Sequence, residues 1–231
     1  MSEDTRHRMI YGRRRGRKLR PAQAGLMVGL LPRLRFTVPR SGALDLRALF
    51  PAHERIALEI GFGAGEHLAA QAAAHPDIGF IGVEIFETGV AKLLAAIAAH
   101  GSSNVRILID DARLLLAALP AQSLARAYVL FPDPWPKLRH RKRRIVNPAT
   151  LAQLAHAMRD GGELRLATDD PDYLAAMLAD ATSAPEWEWL ARHAADWHTR
   201  PDDWPPTRYE QKALKAGRTP AYLRFRRRQR P

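Results

Sequence analysis

The chain has 231 residues, 46% hydrophobic and 26% charged, and its 36 Lys and Arg outweigh 24 Asp and Glu to give a net charge of +12. That length fits one domain with a core of ordinary size, and that composition excludes global disorder. The absence of cysteine excludes disulfides, thiolate metal sites and a cysteine nucleophile, and no apolar run reaches the roughly 18 residues of a membrane span.

Residues 1–40 are basic, with scattered Gly and Pro, and read as a flexible arm ahead of a single domain over 41–231. The first twenty residues lack the apolar core of a secretory signal, so a soluble cytoplasmic protein is expected. From residue 56 a regular alternation begins. Ile56–Ile60 predicts a strand, followed by the glycine-rich GFGAGEH and an Ala-rich helix to His75. Ile78–Glu84, Val105–Ile109, Ala127–Phe131 and 162–168 predict further strands, with helices between them and after the last. Trp187–Arg192 and Tyr222–Arg227 suit a closing antiparallel pair, and 196–208 reads as a loop. Strands that alternate with helices predict an α/β fold built on a doubly wound, mostly parallel, Rossmann-like sheet.

Ligands of such sheets bind beyond the carboxyl ends of the strands. Strand one ends at Glu59 and opens into Gly61-Phe62-Gly63-Ala64-Gly65. Glu66 stands where the dinucleotide fingerprint G-x-G-x-x-G places its last glycine, and an acid there repels a pyrophosphate. Strand two ends in Glu84, placed to accept from two ribose hydroxyls, and strand three in Asp110-Asp111, placed to accept from an adenine amine. Acids at successive strand ends suit adenosine with a cationic amino-acid tail, which describes S-adenosylmethionine. Strand four ends in Pro132-Asp133-Pro134-Trp135-Pro136, a stiff loop with a carboxylate and a flat aromatic face. Lys137–Arg144 follows with six basic side chains, residues 1–20 hold eight and 224–230 hold five, whereas 21–136 hold nine basic against ten acidic. A near-neutral body with basic arms and one basic loop points to a polyanionic partner. No His, Asp or Glu spacing suggests a metal.

FPDPWPKLRHRKRRIV (131–146), with LEIGFGAGEH, GVE, DDA, ATD and TRYEQK in order around it, resembles the bacterial tRNA (guanine-N7)-methyltransferases, class I S-adenosylmethionine-dependent enzymes. The resemblance covers about residues 55–226. It implies transfer of a methyl group to N7 of a guanosine in the tRNA variable loop, with S-adenosylhomocysteine as the second product. Glu59, Gly61, Gly63, Glu84, Asp111 and Asp133 would hold the donor, with Asp133 as the active-site residue. Lys137, Asp169, Thr207, Arg208, Tyr209 and Glu210 would contact the target nucleotide. Arg139, His140, Arg141, Lys142, Arg143 and Arg144 would meet the RNA. Asp170 departs from the family's aromatic residue after ATD. Two alternatives stay open: a methyltransferase for a different RNA base, and a non-catalytic RNA-binding protein with a relic pocket. Monomer and homodimer are equally compatible with the sequence.

Overall fold

A computed structural model describes residues 14, 16 and 18–231. Ten α-helices occur among the described residues: α1 (Pro21–Gly29), α2 (Leu31–Leu34), α3 (Leu46–Leu49), α4 (Glu66–Ala74), α5 (Glu87–His100), α6 (Ala112–Ala118), α7 (Pro148–Ala157), α8 (Pro171–Ser183), α9 (Ala195–His198) and α10 (Arg208–Lys215). The strands are β1 (Arg55–Ile60), β2 (Ile78–Val83), β3 (Val105–Leu108), β4 (Leu124–Leu130), β5 (Met158–Thr168), β6 (Trp187–Trp189) and β7 (Ala221–Arg227). They form one sheet of order β3-β2-β1-β4-β5-β7-β6. Strands β1 to β5 pair in parallel, and β7 runs antiparallel to both β5 and β6. The doubly wound α/β sheet predicted from the alternation is what forms, with the closing antiparallel strands in place.

Each central strand is apolar along both faces because helices cover both. Leu58, Ile81, Val129 and Leu164 point into one core, with the apolar sides of α6, α7 and α8. Ala57, Phe80 and Tyr128 alternate into the other, with α2, α4, α5 and Trp204. The stretch read as a plain loop at 196–208 carries α9 and then Trp204, which is 2% exposed and closes the second core. Its ring lies edge-on to Tyr222 at 5.7 Å, with the Arg165 guanidinium 5.4 Å from its centroid.

The N-terminal boundary needs correction. The arm expected through residue 40 becomes regular structure from Pro21, where α1 and α2 begin. Leu31, Leu34 and Phe36 are buried, and Arg35 makes a parallel bridge to Ile107. Phe36 N donates to Ile107 O at 3.1 Å. The physical reason is the bare outer edge of β3, which an unpaired strand cannot leave open without cost. Leu26, Met27, Leu30, Leu31 and Leu34 recur at helical spacing and supply the apolar face that covers it. The basic charge of residues 1–20, just before it, masked this signal. Part of the expected arm, residues 1–13 with 15 and 17, lies outside the described residues.

Candidate active site

The five parallel strands deliver their carboxyl ends to one rim, and a cavity of about 380 Å³ opens there. Gly61, Gly63, Glu84, Asp110, Asp111, Asp133, Trp135, Arg143 and Tyr209 line it. The turn after β1 requires glycine at two points for different reasons. Gly65 sits at φ +80, a left-handed conformation, as it enters α4. Gly63 is at φ +58, and a Cβ there would stand 2.7 Å from the Tyr209 ring.

Glu84 leaves the end of β2 and is held by three backbone donors. Oε2 accepts from Gly63 N at 2.8 Å, and Oε1 accepts from Ile85 N at 2.7 Å and Phe86 N at 3.0 Å. Burial still pushes its pKa above the ordinary carboxylate value against those donors, and the charge of Asp133 adds to the rise. Asp111 caps α6 by accepting from Arg113 N at 2.9 Å, while keeping a place on the cavity wall. Glu59 does not reach the cavity. The alternation of β1 turns it toward α4, where it is 3% exposed and lies 2.6 Å from His67 Nδ1. It lies outside the cavity lining.

The loop after β4 is bent at both ends. Phe131 adopts φ +51 and Trp135 φ +47, in the left-handed region that bulky side chains avoid. Such residues cost about 1–3 kcal/mol each and persist where surrounding contacts over-determine them. The bends carry Asp133 and Trp135 to the cavity. Asp133 stays open to solvent through the mouth, yet the protein around it desolvates it enough to raise its pKa. Behind Trp135 the chain forms a 3-10 helix over Leu138–Arg143. Arg143 stacks 4.9 Å from the Trp135 centroid and His140 meets that ring edge-on at 5.9 Å. Lys137, Arg139, Arg141 and Lys142 are exposed. Arg144 is buried, which separates it from the others in the run.

The second predicted nucleotide element divides. Thr207 and Glu210 form the capping box of α10: Glu210 N donates to Thr207 Oγ1, and Thr207 N donates to Glu210 Oε2, each at 3.2 Å. Tyr222 Oη donates to Glu210 Oε1, and Arg200 Nε lies 3.0 Å from the same oxygen. Both capping residues are buried, and they aim the next side chains. Tyr209 alone of the four lines the cavity, and Arg208 stacks over its ring. Asp169, at the end of β5, is ion-paired with Arg218 at 3.0 Å rather than turned into the cavity wall. Residue type alone does not reveal that TRYE starts a helix. The capping-box pattern of Thr and Glu three apart was the available signal.

Among the described residues no helix is long and apolar enough to cross a membrane, and no cluster of three or more His, Asp or Glu converges as a metal site. Residues 53–223 match the family model described as "Putative methyltransferase". The tRNA (guanine-N(7)-)-methyltransferase of Rhodospirillum rubrum is 50% identical over 235 residues, covering 99% of this chain and 90% of the relative. The protein of that name from Ruegeria pomeroyi is 48% identical, covering 97% and 96% respectively. Among solved structures, the 16S rRNA methyltransferase KamB superposes with a TM-score of 0.59 at 16% identity, over 84% of this chain and 99% of that one. The 16S rRNA (adenine(1408)-N(1))-methyltransferase from Catenulisporales acidiphilia gives 0.54 at 20%, over 83% and 97%. At such identities the two structures speak for the fold.

Proposed function

The chain belongs to the tRNA (guanine-N(7)-)-methyltransferase family, and from that membership we propose that it methylates N7 of a guanosine in the tRNA variable loop, with S-adenosylmethionine as donor. One observation carries the site reading: three carboxylates from three successive parts of the rim, Glu84, Asp111 and Asp133, face one cavity whose wall continues into the basic segment. The donor's cationic sulfonium and ammonium groups, its ribose hydroxyls and its adenine amine are all partners for acceptors. The cavity, about 380 Å³, is within the range of small-molecule sites. A phosphate-bearing cofactor would meet three negative charges.

Glu84 and Asp111 hold the donor's nucleoside, and Glu59, paired with His67, stands outside the cavity lining. When bound, the donor supplies an electrophilic methyl group on sulfur. Guanine N7 carries an in-plane lone pair at neutral pH, so this chain needs no general base. Its residues position and solvate. Trp135 and Tyr209 offer flat walls to the entering base. Asp133 accepts from the base or faces the positive charge that the base acquires as N7 is alkylated, and either role favours transfer. Lys137, Arg139, Lys142 and the outer face of Arg141 hold RNA phosphates near the mouth, a sequence-independent attraction.

Calorimetric titration with S-adenosylhomocysteine tests the donor site. Replacing Glu84 by Gln or Asp111 by Asn is expected to weaken binding by about tenfold or more, the cost of about 1.4 kcal/mol in lost hydrogen bonds. Unchanged affinity in both variants contradicts the assignment.

A further inference from the structure

Arg144 ends the basic run, and the fold treats it differently from the rest. It is 5% exposed. Its Nε donates to the carbonyl oxygen of Pro134 at 2.8 Å, and its NH2 meets Asp172 Oδ2 on the first turn of α8. The guanidinium plane lies 4.6 Å from the centroid of Tyr173, and the hydroxyl of Tyr173 accepts from Val146 N at 2.9 Å. One side chain therefore ties the loop after β4 to the helix after β5.

Three prolines limit the backbone hydrogen bonds that loop can donate. Pro132, Pro134 and Pro136 have no N–H to donate, and its two ends, Phe131 and Trp135, sit in left-handed conformations. Phe131 N donates to Ala167 O at 2.8 Å, which fixes the β4 end through the sheet. The Pro134 carbonyl is the matching point on the far side, and Arg144 holds it. We propose that Arg144 is a positioning residue for methyl transfer: it locks the loop in the bent form that presents Asp133 and Trp135 to the cavity, and Asp172 fixes its direction. This rests on the methyltransferase reading of the site. It takes Arg144 out of the phosphate-binding set, because its planar fork is already divided between a carbonyl and a carboxylate, an arrangement that lysine cannot copy. Arg141 shares Asp172, at 2.6 Å to Oδ1, but remains 44% exposed, so the same carboxylate joins the RNA-facing surface to the lock.

Steady-state methylation of tRNA by the full chain tests this, with wild type, Arg144→Lys, Asp172→Asn and Asp172→Glu compared. Arg144→Lys is expected to lower kcat about 100-fold, the scale of a misplacement of about 1 Å at a reacting centre. KM for tRNA and the salt dependence of tRNA binding stay at the wild-type values, as does affinity for S-adenosylhomocysteine. Asp172→Asn lowers kcat in the same direction, and Asp172→Glu restores most of it. Should Arg144→Lys fail to fold, Asp172→Asn decides, since that side chain is 47% exposed and its loss leaves the core untouched. A folded variant with wild-type kcat overturns the inference. So does a loss confined to KM for tRNA with a shallower salt slope, which makes Arg144 an RNA contact. Wild type that binds donor but methylates no tRNA overturns the proposed function, and this inference with it, and that control separates the two failures.

Discussion

Asp133 is the residue on which the proposed chemistry turns. It stands on a loop whose backbone is forced at both ends, and partial burial raises its pKa. Asp133→Asn keeps the size and an acceptor oxygen but removes the charge. It is expected to cut kcat about 100-fold or more, within the range for a lost group facing developing charge, while the circular dichroism spectrum stays unchanged. Near-normal turnover would remove Asp133 from any central role. The shifts at Glu84 and Asp133 also set a pH dependence. Both pKa values lie above the ordinary carboxylate value of about 4. On the proposed reading donor binding uses ionised Glu84, so KM for the donor should rise on acidification beginning above that value. The sign for stability is opposite. A carboxyl with a raised folded pKa contributes stability below its unfolded pKa and loses it as pH climbs through the folded one. Glu84→Gln should remove the acid limb of the donor KM profile, while its amide nitrogen would meet a backbone N–H where the carboxylate accepted, which offsets the linkage gain in stability. An unchanged acid limb would assign the titration elsewhere.

At the scale of elements, the glycine turn and α5 depend on each other. A Cβ at Gly89 would stand 2.0 Å from the carbonyl oxygen of Gly63, a backbone atom that cannot step aside. Gly89→Ala should push the turn off its seat, raising KM for the donor by at least about tenfold and lowering Tm, with a shift of about 2–4 °C per kcal/mol lost in a chain of this size. Wild-type donor affinity in that variant would show that the turn's position does not govern the site. The strands and helices were legible because hydrophobic periodicity and length agree in them, and the acids at the strand ends followed from topology. Three things were not legible. The direction of Glu59 depends on which face of β1 it occupies, and apolar residues fill both faces, so no alternation marks it. The covering role of residues 21–36 was hidden because eight basic side chains in residues 1–20 made the whole stretch to residue 40 read as an arm, although 21–36 hold only Arg33 and Arg35. Thr207 and Glu210 look like ligands by residue type, and only the capping box shows their carboxylate and hydroxyl already engaged.

Across the whole molecule, the charge excess separates into structural and available parts. The C-terminal run is largely wired into the fold: Arg224 pairs with Glu163, Arg227 donates to Ala155 O, and Arg230 pairs with Asp160. Arg144 is likewise engaged. The exposed cations beside the cavity are those between Lys137 and Lys142, with Arg143 on Trp135 at their inner edge. Neutralising Arg141, Lys142 and Arg143 together should raise KM for tRNA and reduce the slope of log affinity against log salt by up to about 0.7–0.9 for each phosphate left without its cation. An unaltered slope would move the RNA surface elsewhere on the molecule. On the proposed reading one sheet edge serves two chemistries: carboxylates at the ends of β2 and β3 would face a cationic small molecule, and the cations after β4 a polyanion, with Asp133 at the border.

The most direct measurement is the identity of the product base. Purified chain is incubated with bulk tRNA and S-adenosylmethionine labelled in the methyl group, the RNA is digested to nucleosides, and the labelled nucleoside is separated and weighed by mass spectrometry. The label is expected in 7-methylguanosine, and Asp133→Asn should abolish nearly all of it. Label in any other nucleoside, or no transfer by a chain that binds the donor, would contradict the account.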